Sequence, residues 1–290
     1  MKNKLNVKIL VCCHKQDVMA TQEPYMPIHV GKALHLELDL GIQGDNTGDN
    51  ISEKNGSYCE LTGMYWAWKN LNNVDIIGLC HYRRYFDFHK QVPLFMDNQM
   101  ISQNNFQNID LNIPKEVINK VINRKVVVAK KNISSNSLFD TYSIFHNSID
   151  IRKLEMIVYE NCEEKYHIAF DKIMKDNNKF SPFNMFIMRK DEFDSYCSWL
   201  FPIMSKLEIS TDVTRYDSYQ SRLIGFVSER LFNVWLYAND IELIEKPVMQ
   251  IVQTERKKNP MKCLYNRVID NASFFIKQLR YDRSSKANNN

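Results

Sequence analysis

DIIGLCHYRRYF, residues 75–86, decides how this chain is read. Its first half, Ile76 to Cys80, is a short apolar run that follows the turn-like Leu71-Asn72-Asn73, and it predicts a buried strand. If the strand continues, His81, Arg83 and Tyr85 lie on one face and Tyr82, Arg84 and Phe86 on the other. A buried strand ending in His, Tyr and Arg delivers polar groups to the rim of a sheet. In open α/β sheets that rim, at the carboxyl ends of the strands, is where ligands bind. Two adjacent guanidiniums suit a phosphate or carboxylate, because each offers a planar fork of donors and a permanent charge. An edge strand with surface arginines packed on tyrosines accounts for the same residues, and both readings stay open at this point.

The totals bound the answer. The 290 residues suffice for one large α/β domain or two small ones. Hydrophobic residues at 44% and charged residues at 25% are ordinary for a globular chain, which sets disorder aside. A formal charge of +4 is too small to imply nucleic acid. No uninterrupted apolar window reaches the roughly 18 residues of a membrane span. Near the start, Val7 to Cys13 is apolar but interrupted by Lys8, with no small-residue cleavage site after it, so a first strand is expected rather than a signal peptide. Seven cysteines, none in a C-x-x-C pair, point to a reduced, cytoplasmic protein.

Along the chain, apolar runs repeatedly end in polar residues. The first leaves at His14-Lys15, and Val126 to Ala129 leaves at Lys130-Lys131. Between them, Ile28 to Gly31 reads as a second extended piece. Gly44 to Ser52 (GDNTGDNIS) is the most turn-rich segment, because Gly permits positive φ and Asn and Asp fold onto nearby backbone. Its Asp45 and Asp49, with Asn46, could hold a metal or a sugar hydroxyl, although the spacing is not that of an EF-hand; a solvated turn is the plain alternative. Ser57 with Glu60 fits a capping box before Leu61, Met64, Tyr65 and Trp68 at helical spacing, and Tyr58 and Glu60 in the first turn could also face a ligand. Gln91 to Asn112 is polar and irregular, which predicts a loop or lid over the site, or partial disorder. Pro114 opens a helix. His146 and His167, in a helical region from Leu138 to Asp176, read as surface or satisfied core residues. Ser181 to Met188 reads as a strand, Asp191 to Lys206 as a helix, and Ile241 to Val252 as a last strand.

A long amphipathic helix carries Ile224, Val227, Leu231, Val234 and Trp235 near one face. Glu229 lies beside that stripe, Arg222 and Arg230 are close to it in sequence, and Asp212 and Asp217 sit in the polar approach. Such a carboxylate serves either as a catalytic base or as an ion-pair partner. Residues 254–290 hold nine Lys/Arg against three acids, interspersed with Met261, Leu264, Val268, Phe274, Phe275, Ile276 and Leu279. That composition fits a basic amphipathic segment on an anionic membrane surface, or a C-terminal helix docked on the domain, with a flexible end from Ser284 to Asn290.

Several blocks together resemble a family of bacterial capsule, exopolysaccharide and O-antigen locus proteins, long filed as a domain of unknown function and regarded as glycosyltransferases. They are KILVCCHK at 8–15, PIHVG at 27–31, GDNTGDNIS at 44–52, YCELTGMYWAWKN at 58–70, GLCHYRRYF at 78–86, PFNMFIM at 182–188 and GFVSERLF at 225–232. The resemblance implies a GT-A-like α/β domain over 1–253, a mixed and mostly parallel sheet flanked by helices, with the basic segment 254–290 outside it. It implies transfer of a hexose, galactofuranose included, from a nucleotide diphosphate donor such as a uridine diphosphate sugar to a lipid-linked glycan of capsule or lipopolysaccharide biosynthesis, by a peripheral protein at the inner face of the cytoplasmic membrane. GT-A enzymes usually end a central strand with a metal-holding Asp-x-Asp; here that end is His81-Tyr82-Arg83-Arg84. The expectation is therefore that Arg83 or Arg84, with His81, stabilises the leaving diphosphate, helped by His14, Lys15, Tyr82, Asp45 and Asn46. Asp45 and Asp49 leave manganese or magnesium open. An inverting reaction needs a carboxylate base, for which Glu229, then Asp49 or Asp217, are the candidates. Tyr58, Glu60, Asn184 and Arg230 are the candidates for the sugar or acceptor. A non-catalytic sugar-binding or scaffold component of a polysaccharide assembly complex is the other reading; it needs no base. Nucleic acid is not expected as a partner, because the body of the chain is balanced in acids.

Overall fold

The apolar runs meet in one sheet. The computed structural model describes residues 5–93, 95–255 and 258–287. The first half of the chain forms β1 (Val7–Cys13), β2 (Tyr25–His29), β3 (Gln43–Gly44), α1 (Asn55–Tyr58), α2 (Leu61–Asn70), β4 (Ile76–His81), β5 (Arg84–Phe86), β6 (Asn98–Ser102), α3 (Lys115–Ile122), β7 (Val126–Ala129) and β8 (Asn132–Ile133). The second half forms α4 (Leu138–Phe145), α5 (Ser148–Asn161), α6 (Glu164–Phe170), β9 (Lys179–Phe180), β10 (Phe186–Arg189), α7 (Lys190–Ser210), α8 (Leu223–Ala238), β11 (Leu243–Lys246), β12 (Val248–Val252) and α9 (Pro260–Ala287).

The main path of the sheet runs β11-β7-β10-β4-β1-β2-β3. β1 pairs in parallel with β2 and β4, β2 with β3, and β11 with β7. β10 is antiparallel to both β4 and β7, the one reversal on this path. A wing of β5, β12 and β6 continues from β4. The expected mixed, mostly parallel sheet flanked by helices is what the chain forms.

Alternation along the central strands explains why they read as unbroken apolar runs. Leu10, Ile77, Leu79, Val126 and Val128 pack on one side, among residues of α2 and α4 to α8. Ile9, Val11, Ile76, Cys80, Val127 and Ala129 pack on the other, with β5, β6, α3 and β12. Both faces are covered, so neither set of positions can be polar. Gly78 marks the tightest point: a Cβ there would fall 2.5 Å from Ile9 Cδ1 and 2.9 Å from the Phe186 carbonyl oxygen.

Five local expectations change. The strand expected over Ser181 to Met188 starts only at Phe186, because Phe183 and Asn184 take left-handed φ of 78 and 52. The strand of the HYRRYF stretch does not run on: it turns at Tyr82-Arg83, and His81 pairs with Arg84 in an antiparallel hairpin. Fully buried Tyr85 anchors the return, its hydroxyl accepting from the Ala20 amide at 2.9 Å and lying 3.1 Å from the Tyr82 carbonyl. The Ser57/Glu60 capping box is not formed, because Cys59 at φ 53 separates α1 from α2, and no side chain caps α2. Gln91 to Asn112 is no lid; it contains β6, which pairs in parallel along β12, followed by a 3-10 turn. The single strand expected over Ile241 to Val252 breaks at Pro247 into β11 and β12, whose partners differ. Arg256, Lys257 and Asn288 to Asn290 of the basic segment and its expected flexible end lie outside the described residues.

Candidate active site

A cavity of about 970 Å³ opens at the carboxyl ends of β1 and β4. Strand ends supply Cys12, His14 and His81; the hairpin tip supplies Tyr82, Arg83 and Arg84; the α1–α2 junction supplies Cys59 and Glu60. Arg222, Gly225, Phe226 and Glu229 come from the start of α8. Their places at i, i+3, i+4 and i+7 put them on one helical face.

The three arginines differ in their partners. Arg83 Nε and Nη2 both bind Asp17 Oδ2, at 2.8 and 2.5 Å, and Asp17 is almost wholly buried. Its charge is thus largely neutralised inside the fold. Arg84 lies over the Phe183 ring, 4.6 Å from its centroid, and Arg222 lies 5.3 Å from the Phe226 centroid while donating to Cys59 Sγ at 3.3 Å. Among the described residues, neither Arg84 nor Arg222 has a carboxylate within ion-pair distance. Two ring-supported guanidiniums with no carboxylate at ion-pair distance have donors to offer an anion.

The same cavity holds two carboxylates, Glu60 and Glu229. Burial pushes Glu229 up to about 7, against the pull of Arg230, and the charge of Glu60 raises it further. Burial also raises Glu60, while a 2.8 Å hydrogen bond from Asn184 Nδ2 to its Oε1 opposes the shift. Asn184 Nδ2 also donates to Ser228 Oγ at 2.9 Å, tying Glu60 to α8. His81 is driven down to about 3 by burial and by the charge of Arg84, so its ring is neutral. Its Nε2 lies 2.7 Å from the Phe183 carbonyl oxygen. A carbonyl can only accept, so that nitrogen carries the proton and Nδ1 is left as an acceptor. Phe183 at φ 78 and Asn184 at φ 52 form a left-handed turn before β10; the first is costly for a bulky residue, and strain of this kind gathers at functional sites.

Of the residues singled out in the sequence, the cavity brings together His14, His81, Tyr82, Arg83, Arg84, Glu60 and Glu229. The others are placed elsewhere. Lys15 is exposed and, like Asn46, does not line the cavity. Asp45 is fully buried, accepts from the amides of Gly31 and Lys32 at 2.9 and 3.1 Å, and is also bound by Ser52 Oγ. Its carboxylate is consumed in holding the loop. Asp49 accepts from Tyr65 Oη at 3.2 Å on the outside of α2. Among the described residues no group of three or more His, Cys, Asp or Glu side chains is placed to hold a metal ion. Tyr58 is buried and donates to Glu208 at 3.0 Å. Arg230 lies between the Tyr142 and Phe180 rings, donates to the Phe226 carbonyl at 2.7 Å and supports Glu229 from 3.6 Å. Asp217 accepts from the amides of Tyr219 and Gln220 at 2.8 and 2.7 Å. It shapes the loop that brings Ser218, Tyr219 and Ser221 to the cavity. Sequence reasoning did not assign Arg222 to the site, although its helical register with Glu229 was there to be read. Cys59, Tyr219, Phe226 and Gln250 gave no signal of their own.

Residues 8–240 match the model of a family described as a domain of unknown function, DUF4422. No curated protein matches the chain. Among solved structures, the apo structure of the bifunctional glycosyltransferase WbbM is similar over 86% of this chain, with a TM-score of 0.75 and 31% sequence identity. The match takes in 46% of the WbbM chain, so the present chain spans about half the length of that protein.

Proposed function

The chain belongs to the DUF4422 family, and on that premise we propose that it is a glycosyltransferase taking a nucleotide diphosphate sugar as donor. The observation that carries this reading is the presence, in one cavity, of Arg84 and Arg222, neither of them ion-paired among the described residues, with Glu229, whose carboxyl is pushed up to about 7. A diphosphate leaving group needs positive charge where its own negative charge develops, and planar guanidiniums on aromatic rings provide it without reorganisation. A base works best when its pKa lies near the working pH. The likeness to WbbM supports the assignment of a transferase activity.

In the proposed inverting step the acceptor hydroxyl oxygen attacks the anomeric carbon. Its proton passes to Glu229 as the bond to the diphosphate breaks, and the leaving oxygen keeps the electron pair beside Arg84 and Arg222. Neutral His81, held by Phe183, offers an acceptor nitrogen for a sugar hydroxyl, and Asn184 and Arg230 position Glu60 and Glu229. The donor is read as a uridine diphosphate hexose and the acceptor as a lipid-linked glycan.

Calorimetry with uridine diphosphate and its sugars, with and without EDTA or added manganese, tests this. Binding that is indifferent to EDTA and at least about tenfold weaker in Arg84→Ala and Arg222→Ala is the expected result. Loss of all binding on EDTA treatment sinks the cationic receptor. Binding intact with no transfer to any glycan acceptor makes the chain a sugar-binding component instead.

A further inference from the structure

Helix α9 is docked on the domain by Phe274 and a set of polar side chains, and turns a second, apolar side away. Phe274 is 4% exposed against the body. Around it, Arg267 Nη1 donates to the Lys131 carbonyl at 3.1 Å, Lys277 Nζ reaches Asn136 Oδ1 at 2.6 Å and the Ser135 carbonyl at 3.1 Å, and Asn271 accepts from Asn178. These contacts lie around β8, beyond the carboxyl end of β7. Because β7 runs parallel to β4, this is the end of the sheet at which the cavity opens.

On the opposite side, Met261, Tyr265, Val268, Ile276 and Leu279 are 51–65% exposed. Their positions recur at helical spacing, so they form one straight stripe, about 27 Å long at the α-helical rise. Lys262 and Arg280 are exposed and stand eighteen residues apart, five full turns, so they lie along the same edge of that stripe. Asp270 falls on the far face. Over residues 258–280 the segment holds five Lys/Arg and one acid.

We propose that this stripe lies in the surface of an anionic phospholipid membrane, with the cavity mouth turned toward it. An exposed apolar face of this size calls for a cover. Charge decides which. Antiparallel pairing of two copies would set Lys262 of one helix against Arg280 of the other, like charge on like charge, with no acid on the stripe to relieve it. A leaflet with negative headgroups accepts the apolar side chains and takes the two bases at its surface, where their aliphatic stems can bend up to the phosphates. No described helix is long and apolar enough to cross a membrane, which leaves α9 to lie on one. The inference does not depend on the reaction proposed above; a lipid-borne acceptor would give it a purpose.

The test is co-sedimentation of the full chain with vesicles of phosphatidylcholine, alone and with phosphatidylglycerol added. Expected are binding to the anionic vesicles that falls with salt, and a loss of about tenfold or more both in Tyr265→Asp/Ile276→Asp and in Lys262→Glu/Arg280→Glu. Both pairs are exposed, so melting temperature and uridine diphosphate binding should stay unchanged. Absence of vesicle binding, or binding indifferent to both double substitutions, overturns the proposal. So does light scattering that finds a dimer which Tyr265→Asp/Ile276→Asp splits, since the stripe would then be covered by a second copy. Loss of nucleotide binding with vesicle binding retained would count against the cavity reading alone.

Discussion

Glu229 concentrates the tension between folding and chemistry in this chain. Its folded carboxyl titrates at about 7, against 4.5 for the free side chain, chiefly through burial. The folded state therefore holds the proton more tightly than the unfolded state does. The associated stability is fully present below pH 4.5 and is lost as pH rises through about 7, a swing of about 3 kcal/mol. Glu229→Gln should lose turnover by about 10²–10⁴ while keeping donor affinity. The same variant should become more stable relative to the parent as pH rises from 4.5 to 7, in parallel melting curves. If Glu229 is the base proposed above, the parent's turnover should rise with pH up to about 7 and then level off as it ionises. The arginines divide in the same way. Arg83→Ala takes the ion-pair partner from the buried Asp17 carboxylate, leaving it only the Gln103 amide and the Val18 N–H, and should lower stability by about 1–3 kcal/mol in urea titrations. Its effect on donor affinity should be smaller than that of Arg84→Ala or Arg222→Ala, because Arg83 is already paired.

At the scale of elements, two turn-rich segments are each pinned by an aspartate, and only the second reaches the cavity. The Gly44 to Ser52 loop and the Ser218 to Arg222 loop are each held by one aspartate, Asp45 and Asp217. Asp45→Ala removes two amide bonds and a hydroxyl contact to a buried carboxylate. It should cost about 2–4 kcal/mol of stability, with no change in any metal response of nucleotide binding. Asp217→Ala leaves exposed amides that water can satisfy, so stability should hold. The donor KM should rise several-fold as Ser218 to Arg222 loosen, a loss of about 1 kcal/mol in donor binding. Steady-state kinetics beside melting temperatures separate the two cases.

At the scale of the whole molecule, the sheet's cover on both faces makes its centre intolerant of volume. Gly78→Val should prevent folding or cost several kcal/mol, because Ile9 can shift but the Phe186 carbonyl is backbone; soluble yield and urea midpoints report it. Much of this architecture was legible beforehand. Ile76 to Cys80, Val7 to Cys13 and Val126 to Ala129 announce buried strands because side chains on both faces must be apolar. His14 and His81 announce the polar rim at which the cavity opens because they end such runs. What could not be read was pairing. Whether Tyr82-Arg83 continue a strand or turn depends on Tyr85 finding Ala20 and on β12 arriving from more than 160 residues away. Whether Arg83 is free depends on Asp17, and whether Glu60 caps a helix or faces a cavity depends on Asn184. The residues alone determined a covered, mostly parallel sheet with polar strand ends, since periodicity and burial are local properties of the chain. The tertiary structure alone decided which charges are spent within the fold and which are left for a ligand, since a charge is free only when no distant partner reaches it.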